Sequence, residues 1–271
     1  MKLAYSVGTP DAPGPLMAFY GDFEKNVADV KAVGYAALEL FVRDPALMDC
    51  AAVDRTIEKS GLAVAAVGTN PAMSMDGLTL LDPDAEVRKK AVQRVLDTID
   101  FAARYGAPVC IGKYRGMLWK NDKTGAMASL ADSFRIICAH AEKKNIAVML
   151  EPQNRFNIDN LNTTAEAADW IDALGCPNLG ILYDTYHGEL TEVSVASGVL
   201  GARGKIGFVH CSDSDRLPPG AGRINMADAF AVLKAIGYDG YVSMEIAQKP
   251  DSLTAAELAF KTADYILRNV V

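Results

Sequence analysis

Four short apolar runs in the second half of the chain each finish on a residue able to hold a proton or a metal ion. They are Ile146-Ala-Val-Met-Leu-Glu151, Leu179-Gly-Ile-Leu-Tyr-Asp184, Ile206-Gly-Phe-Val-His210 and Tyr241-Val-Ser-Met-Glu245. The terminal residues are 33, 26 and 35 positions apart in turn, each close to the roughly 30 residues of one strand-helix-strand unit. That spacing sets the four side chains on neighbouring strands at one level. Three carboxylates converging in a partly apolar pocket repel and raise one another's pKa unless a cation compensates them. A single divalent metal ion resolves the conflict, so Glu151, Asp184, His210 and Glu245 are the candidate ligands. Three oxygen donors and one imidazole suit Mn²⁺ first, then Mg²⁺ or Co²⁺, and Zn²⁺ less well. One acid at one strand end would mean only a solvent-facing residue; four in register carry the inference.

Such a cluster needs a scaffold of parallel strands. Short β-branched or apolar runs alternate with longer stretches of helical spacing along the whole chain, the pattern of a sheet built from βα units. Strands are predicted over 2–7, 35–41, 62–69, 108–113, 146–151, 179–184, 206–211 and 241–246. The clearest helix is predicted over 84–105, where Val87, Ala91, Val92, Val95, Leu96 and Ile99 form one apolar face. Helix starts are signalled at Thr163 and Thr254, each three residues before a Glu, and at Asn225. Gly34, Gly61, Gly106, Gly175 and Gly237 stand where helices should end ahead of strands. Eight such units favour closure into one α/β domain over residues 1–271, a single (β/α)₈ TIM barrel. In that architecture the chemistry sits at the C-terminal ends of the strands.

Composition narrows the function. With 34 acidic against 27 basic side chains and a net charge of -7, there is no broad cationic surface for nucleic-acid phosphates or anionic lipid. The five cysteines are scattered without a Cys-x-x-Cys pair, as in a reduced cytoplasmic protein. No stretch approaches the roughly 20 apolar residues of a membrane span, and no secretory signal is read at the N-terminus. No nucleotide cofactor is expected, because Gly220-x-Gly222 follows Pro218-Pro219 rather than a strand and lacks a third glycine. His140 falls in a predicted helix, 130–144, away from any strand end, and is set aside.

The chain resembles the xylose-isomerase-like barrel superfamily of sugar isomerases and epimerases from end to end. The segments that carry the resemblance are Glu151-Pro-Gln-Asn-Arg-Phe156, Asp184-Thr-Tyr-His187, His210-Cys-Ser-Asp-Ser-Asp-Arg216, Pro219-Gly-Ala-Gly222 and Gly237-Tyr-Asp-Gly-Tyr-Val-Ser-Met-Glu245. It is also similar to ketose 3-epimerases. Val42-Arg-Asp-Pro45, Ala66-Val-Gly-Thr69, Asp76-Gly-Leu78, Glu86-Val-Arg-Lys-Lys-Ala91, Ile111-Gly112 and Arg115-Gly116 resemble most closely the 5-keto-L-gluconate epimerases, which interconvert that keto acid with D-tagaturonate. The resemblance implies the same four metal ligands, Glu151 and Glu245 as the acid/base pair, and His187 and Arg216 as substrate contacts. It also implies a homo-oligomer, a dimer or tetramer. Relatives often carry a Glu directly after the aromatic of the Glu-Pro-x-Asn-Arg-aromatic motif; here that position is Asn157, an amide that can hydrogen-bond a hydroxyl but cannot accept a proton.

Epimerisation beside a ketone removes a proton from the adjacent carbon and returns one to the opposite face through an enediolate, whose negative charge a metal stabilises. Two bases from different strands suit that task. A sugar acid would also need a cation, for which Lys113, Arg115 and Arg155, with Arg43, are candidates; Arg216 could clamp a carboxylate or hydroxyls. The expected partner is a small sugar or sugar acid. An aldose-ketose isomerase or an inosose-type dehydratase would use the same metal geometry. An apurinic-site endonuclease would require several histidines and a basic groove, and only three histidines occur. A non-catalytic sugar-binding protein would have no reason to keep all four ligands.

Overall fold

The computed structural model describes all 271 residues, Met1–Val271. Eight parallel strands follow one another around a closed barrel in chain order. They are β1 Lys2–Gly8, β2 Ala37–Phe41, β3 Ala63–Gly68, β4 Val109–Ile111, β5 Val148–Leu150, β6 Leu179–Asp184, β7 Ile206–Cys211 and β8 Tyr241–Met244. β1 closes on β8 with Lys2 opposite Tyr241 and Tyr5 opposite Met244. The protein is therefore a (β/α)₈ TIM barrel of the expected kind.

Helices wrap the strands because each buries one apolar stripe. In Ala85–Ala102 the buried face is Ala91, Val95, Thr98, Ile99, Phe101 and Ala102, and Asp84 caps the start by accepting from Glu86 N. Each fully buried Val or Ile contributes on the order of 2 kcal/mol. Thr163 and Glu166 form a reciprocal capping box, and Asn225 accepts from Asp228 N. Thr254 is not a cap: the last helix, Ser252–Asn269, begins two residues earlier, with Asp251 accepting from Thr254 N. The carboxylate outcompetes the hydroxyl for the free N–H groups.

The outer layer also departs from one helix per strand. β3 is followed by Asn70–Asp76 and then Ala85–Ala102, and β6 by Thr185–Thr191 and Val195–Gly201. The extra short helices form part of the rim at the C-terminal end of the barrel. Below that rim the bore is filled by Ala4, Ala37, Ala65, Ala66, Cys110, Met149, Leu182 and Phe208. Met149 fits because Gly207 opposite it has no Cβ to strike its thioether. The barrel is thus packed below, and polar groups gather only at its open end.

The loops after β1, β2 and β3 are tied by an ionic clamp. Asp11 Oδ2 accepts from the backbone N–H of Arg43 at 2.9 Å and of Asp44 at 2.6 Å. Arg43 and Arg94 grip Asp76 from two sides at 2.6 and 2.8 Å, and Arg94 also pairs with Asp44 at 2.7 Å. Arg43 is thereby committed to the scaffold. No helix is long and apolar enough to cross a membrane.

Candidate metal centre

Asp184 is the last residue of β6 and pairs in register with His210 of β7. Glu151 and Glu245 lie one residue beyond the paired parts of β5 and β8. All four side chains turn to one point, and one ligand atom from each lies within 4.8 Å of all the others. His210 Nδ1 stands 3.3 Å from Glu151 Oε1, 3.8 Å from Asp184 Oδ2 and 3.5 Å from Glu245 Oε2.

The orientation of His210 is set from behind. Its Nε2 lies 2.8 Å from Glu39 Oε1, and Glu39 Oε2 accepts from Ser6 Oγ at 2.8 Å and Ser243 Oγ at 2.7 Å. Glu39 is wholly buried in the middle of β2. Glu39 thus engages Nε2 and leaves Nδ1 as the ring nitrogen turned toward the three carboxylates. This is the arrangement by which outer carboxylates fix metal-ligating imidazoles. Sequence reasoning passed over Glu39, although the signal was there: a lone charge inside Ala-Leu-Glu-Leu-Phe, a run otherwise apolar. Gln153, two residues past Glu151, was missed as well; its Nε2 donates to Glu151 Oε2 at 2.5 Å.

Charge and burial are in keeping with a donor set for a cation. Burial pushes the Glu245 carboxyl up to about 7 in spite of Arg216 and His210 beside it, and Glu151 and Asp184 push the same way. Burial would raise Asp184 too, but Arg216 and the imidazoles of His187 and His210 hold it well below the usual range. Glu151 is held down likewise, His210 and His187 outweighing its burial. For His210, burial is overcome by Glu39 and Glu245, which raise it well above its ordinary value. In this arrangement Arg216 Nη1 reaches into the cluster, 2.5 Å from Asp184 Oδ2 and 3.0 Å from Glu245 Oε2. One guanidinium and the His210 imidazole thus face four carboxyl groups, Glu39 included, in a low-dielectric site where a further cation would offset the crowding of acids.

Arg216 is posed with effort. It and Asp215 both have left-handed backbone, with φ of 59° and 58°, a conformation disfavoured for such residues and retained where surroundings enforce it. Asp213 enforces it by accepting from the N–H groups of Ser214, Gly220 and Ile224. Arg216 also stacks over Tyr186, 4.5 Å from the ring centroid.

Above the cluster opens a cavity of about 300 Å³. Met17, Phe41 and Met73 are among its apolar lining, and Lys113, Gln153 and Asn157 among its polar lining. Lys113 is exposed and has no carboxylate within ion-pair distance, which leaves its ammonium available. Asn157 is half-buried. A larger groove, about 660 Å³, runs between the outer helices Phe23–Val33 and Cys50–Ser60, but it holds no cluster of ligating side chains.

Three other expected contacts fall elsewhere. Arg115 is fully buried, and its guanidinium donates to Asn160 Oδ1 at 2.8 Å and to the carbonyls of Glu151 at 2.8 Å and Asn160 at 2.9 Å. It braces the β5 loop and does not line the cavity. Arg155 is exposed and lies outside the cavity wall. His187 sits in the helix Thr185–Thr191 rather than in a loop, 2% exposed. Arg216 Nη2 donates to its Nε2 at 2.9 Å, and the Asn154 amide stands 2.7 Å from its Nδ1. Burial lowers its pKa to about 4, so the ring is neutral near pH 7 and serves to set Arg216.

Comparison with known proteins agrees with the fold. An L-ribulose 3-epimerase from Methylomonas sp. is 29% identical over 86% of this chain and 82% of its own length. Hydroxypyruvate isomerase from Escherichia coli is 34% identical over 48% of this chain and 51% of its own length. Among solved structures, D-psicose 3-epimerase from Clostridium cellulolyticum, crystallised with D-tagatose, superposes with a TM-score of 0.81 at 21% identity. That match covers 100% of this chain and 99% of the other. The family model described as xylose isomerase-like TIM barrel matches residues 27–265, nearly the whole length, and the chain belongs to that family.

Proposed function

We propose that this protein is a carbohydrate enzyme of the isomerase class, an epimerase that moves a proton beside the carbonyl of a keto sugar or keto sugar acid. The observation that carries this reading is the cluster of Glu151, Asp184, His210 and Glu245 under a sugar-sized cavity. Curated relatives named as epimerases and isomerases of sugars support the class. Those four residues would hold one divalent ion, Mn²⁺ in the first instance, which when bound supplies the positive charge that acidifies the C–H next to the carbonyl.

The chain's own groups do the rest. Glu151 and Glu245 project from β5 and β8, three strands apart around the ring, and so approach the substrate from different sides. One removes the proton and the other delivers one to the opposite face. Arg216, Tyr186, Met17, Phe41 and Met73 line the cavity that would receive the substrate. Lys113 and Asn157 both line this cavity, and an ammonium and an amide there would suit a carboxylate and a hydroxyl. These contacts favour a ketouronate, the 5-keto-L-gluconate and D-tagaturonate pair being the leading candidate.

A second reading, aldose-ketose isomerisation, is favoured by the hydroxypyruvate isomerase likeness. One experiment separates the two. The protein is incubated with Mn²⁺ in D₂O and D-tagaturonate, D-fructuronate or free ketoses, with an EDTA-treated control. An epimerase places deuterium beside a ketone that stays where it was, whereas an isomerase moves the ketone. Sugar binding with no turnover of any compound would sink both readings and leave a non-catalytic binding protein.

A further inference from the structure

The two carboxylates assigned to proton transfer are held in different ways. Glu245 offers Oε2 to Arg216 Nη1 at 3.0 Å and to His210 Nδ1 at 3.5 Å, and no protein group engages its Oε1. Glu151 turns Oε1 toward His210 Nδ1, while its Oε2 is gripped by the Gln153 amide at 2.5 Å. Gln153 itself is 7% exposed. Both residues are fixed through their backbones: Arg115 Nη1 donates to the Glu151 carbonyl at 2.8 Å, and Asn162 Nδ2 to the Gln153 carbonyl at 2.7 Å. Gly112 makes the room, because a Cβ there would strike Glu151 Oε2 and stand 2.7 Å from Gln153 Nε2.

An amide has one donor end and one acceptor end. Against an ionised carboxylate only the donor end is attractive, so Glu151 dictates which way Gln153 points. The consequence is visible at the other end, where Gln153 Oε1 is buried with no hydrogen-bond partner. An orphaned buried acceptor is destabilising, and folded proteins keep few of them. Here the orphan is what remains once the donor is committed to Glu151.

We propose that Gln153 is a positioning residue that tethers Glu151 Oε2, making Glu151 the fixed base of the pair and Glu245, with one oxygen free, the mobile base. This rests on the epimerase reading above. Epimerisation has two proton transfers. The hydrogen of one epimer leaves as a proton to Glu151, and its bonding electrons enter the substrate enediolate; a proton from Glu245 then adds to the opposite face and re-forms the C–H bond with those electrons. The reverse direction runs through the same two steps in the opposite order. Loosening Glu151 raises the barrier on its own face alone. An enediolate formed from the Glu245 face then returns to that face more often than it goes forward. In D₂O the Glu245 proton exchanges with solvent, so each return leaves deuterium in the recovered starting epimer.

The test uses the Mn²⁺-loaded protein in D₂O, starting separately from each member of an epimer pair that the wild type interconverts. Gln153→Met keeps the length without a donor, and Gln153→Leu serves as a second variant, with folding checked by circular dichroism. Epimerisation is expected to fall about tenfold or more through kcat. KM and the calorimetric Mn²⁺ affinity should stay within about threefold. Recovered starting material should gain deuterium ahead of epimerisation from one epimer only. Label entering both epimers alike, or neither, overturns the tether, as does an unchanged epimerisation rate. A tenfold loss of Mn²⁺ affinity also overturns it, because Gln153 would then be supporting the ligand cluster. In all of these outcomes the epimerase reading survives. A wild type that exchanges no C–H of any ketose or ketouronate overturns that reading and the tether with it.

Discussion

Two ionic clusters stand at the same end of the barrel, and they differ in how their charges balance. In the clamp after β1, β2 and β3, the guanidiniums of Arg43 and Arg94 meet the carboxylates of Asp44 and Asp76, all between 16% and 32% exposed. These four paired charges match in number and water reaches their edges, while the third acid of the clamp, Asp11, is satisfied by backbone N–H groups and the Thr9 hydroxyl. In the centre above β5 to β8, Glu39, Glu151, Asp184 and Glu245 face Arg216 and His210; the first three acids are buried and Glu245 is partly so. The clamp is complete as it stands. An acid excess in a low-dielectric site is destabilising unless something positive offsets it, so on the reading proposed above a divalent ion completes the centre. Burial combined with imbalance is therefore what sets the proposed site apart from the scaffold.

The hardest test of that distinction removes the carboxylates thought to move protons. Glu151→Gln and Glu245→Gln keep shape and hydrogen-bonding capacity but lose the base. Each should lower kcat by about 10²- to 10⁴-fold, measured by steady-state turnover with circular dichroism confirming the fold. Variants that keep the wild-type rate would remove both residues from the chemistry and make the centre another scaffold. A smaller effect is expected one layer out. Glu39→Gln leaves His210 a partner but no longer an anionic one, and Mn²⁺ affinity by calorimetry should fall about 10- to 100-fold. An unchanged affinity would show that Glu39 does not set the imidazole.

The barrel itself was largely legible in the sequence, for a physical reason. Parallel strands buried on both faces read as continuous apolar runs, so a terminal acid stands out against them, as at Leu179-Gly-Ile-Leu-Tyr-Asp184. Glu39 was less legible because it lies mid-strand, where its partners Ser6 and Ser243 are brought together only by barrel closure. Arg115 shows the opposite failure. A basic residue just past a strand looks like a substrate contact, yet three-dimensional packing turned its guanidinium into the β5 loop, where it satisfies the carbonyls of Glu151, Asn160 and Gly112. Local pattern gives the level of a side chain on the barrel; which way a long side chain bends depends on acceptors distant in sequence.

Lys113 offers a milder way to sharpen the comparison, since it belongs to the cavity wall but to neither cluster. Lys113→Gln should raise KM for a ketouronate by roughly tenfold, the loss of one charge-assisted hydrogen bond. KM for a neutral ketose should not change. Equal effects on both substrates would show that Lys113 acts through loop structure and not through a carboxylate.

The smallest effect is expected in the clamp, and its pH dependence shows why. Burial alone would raise the Asp76 pKa, but hydrogen bonds from Arg43 and Arg94 outweigh it and leave the value below the ordinary 3.8. A carboxylate whose folded pKa is depressed contributes stability above its unfolded pKa of about 4 and loses it as pH falls through the folded value. Asp76→Asn should therefore lower stability by about 1 kcal/mol at pH 7, the modest size reflecting partly open, solvent-screened partners. The gap should hold from neutrality down to about pH 5, begin to narrow at about pH 4 as the unfolded chain takes up the proton, and close only as pH falls through the lower folded value, where wild-type Asp76 becomes neutral too. Urea melts at pH 7, 5 and 3 would measure it. A gap of the same size at pH 3 would mean that shape, not charge, holds the clamp together, and that balance of charge is not what distinguishes it from the centre.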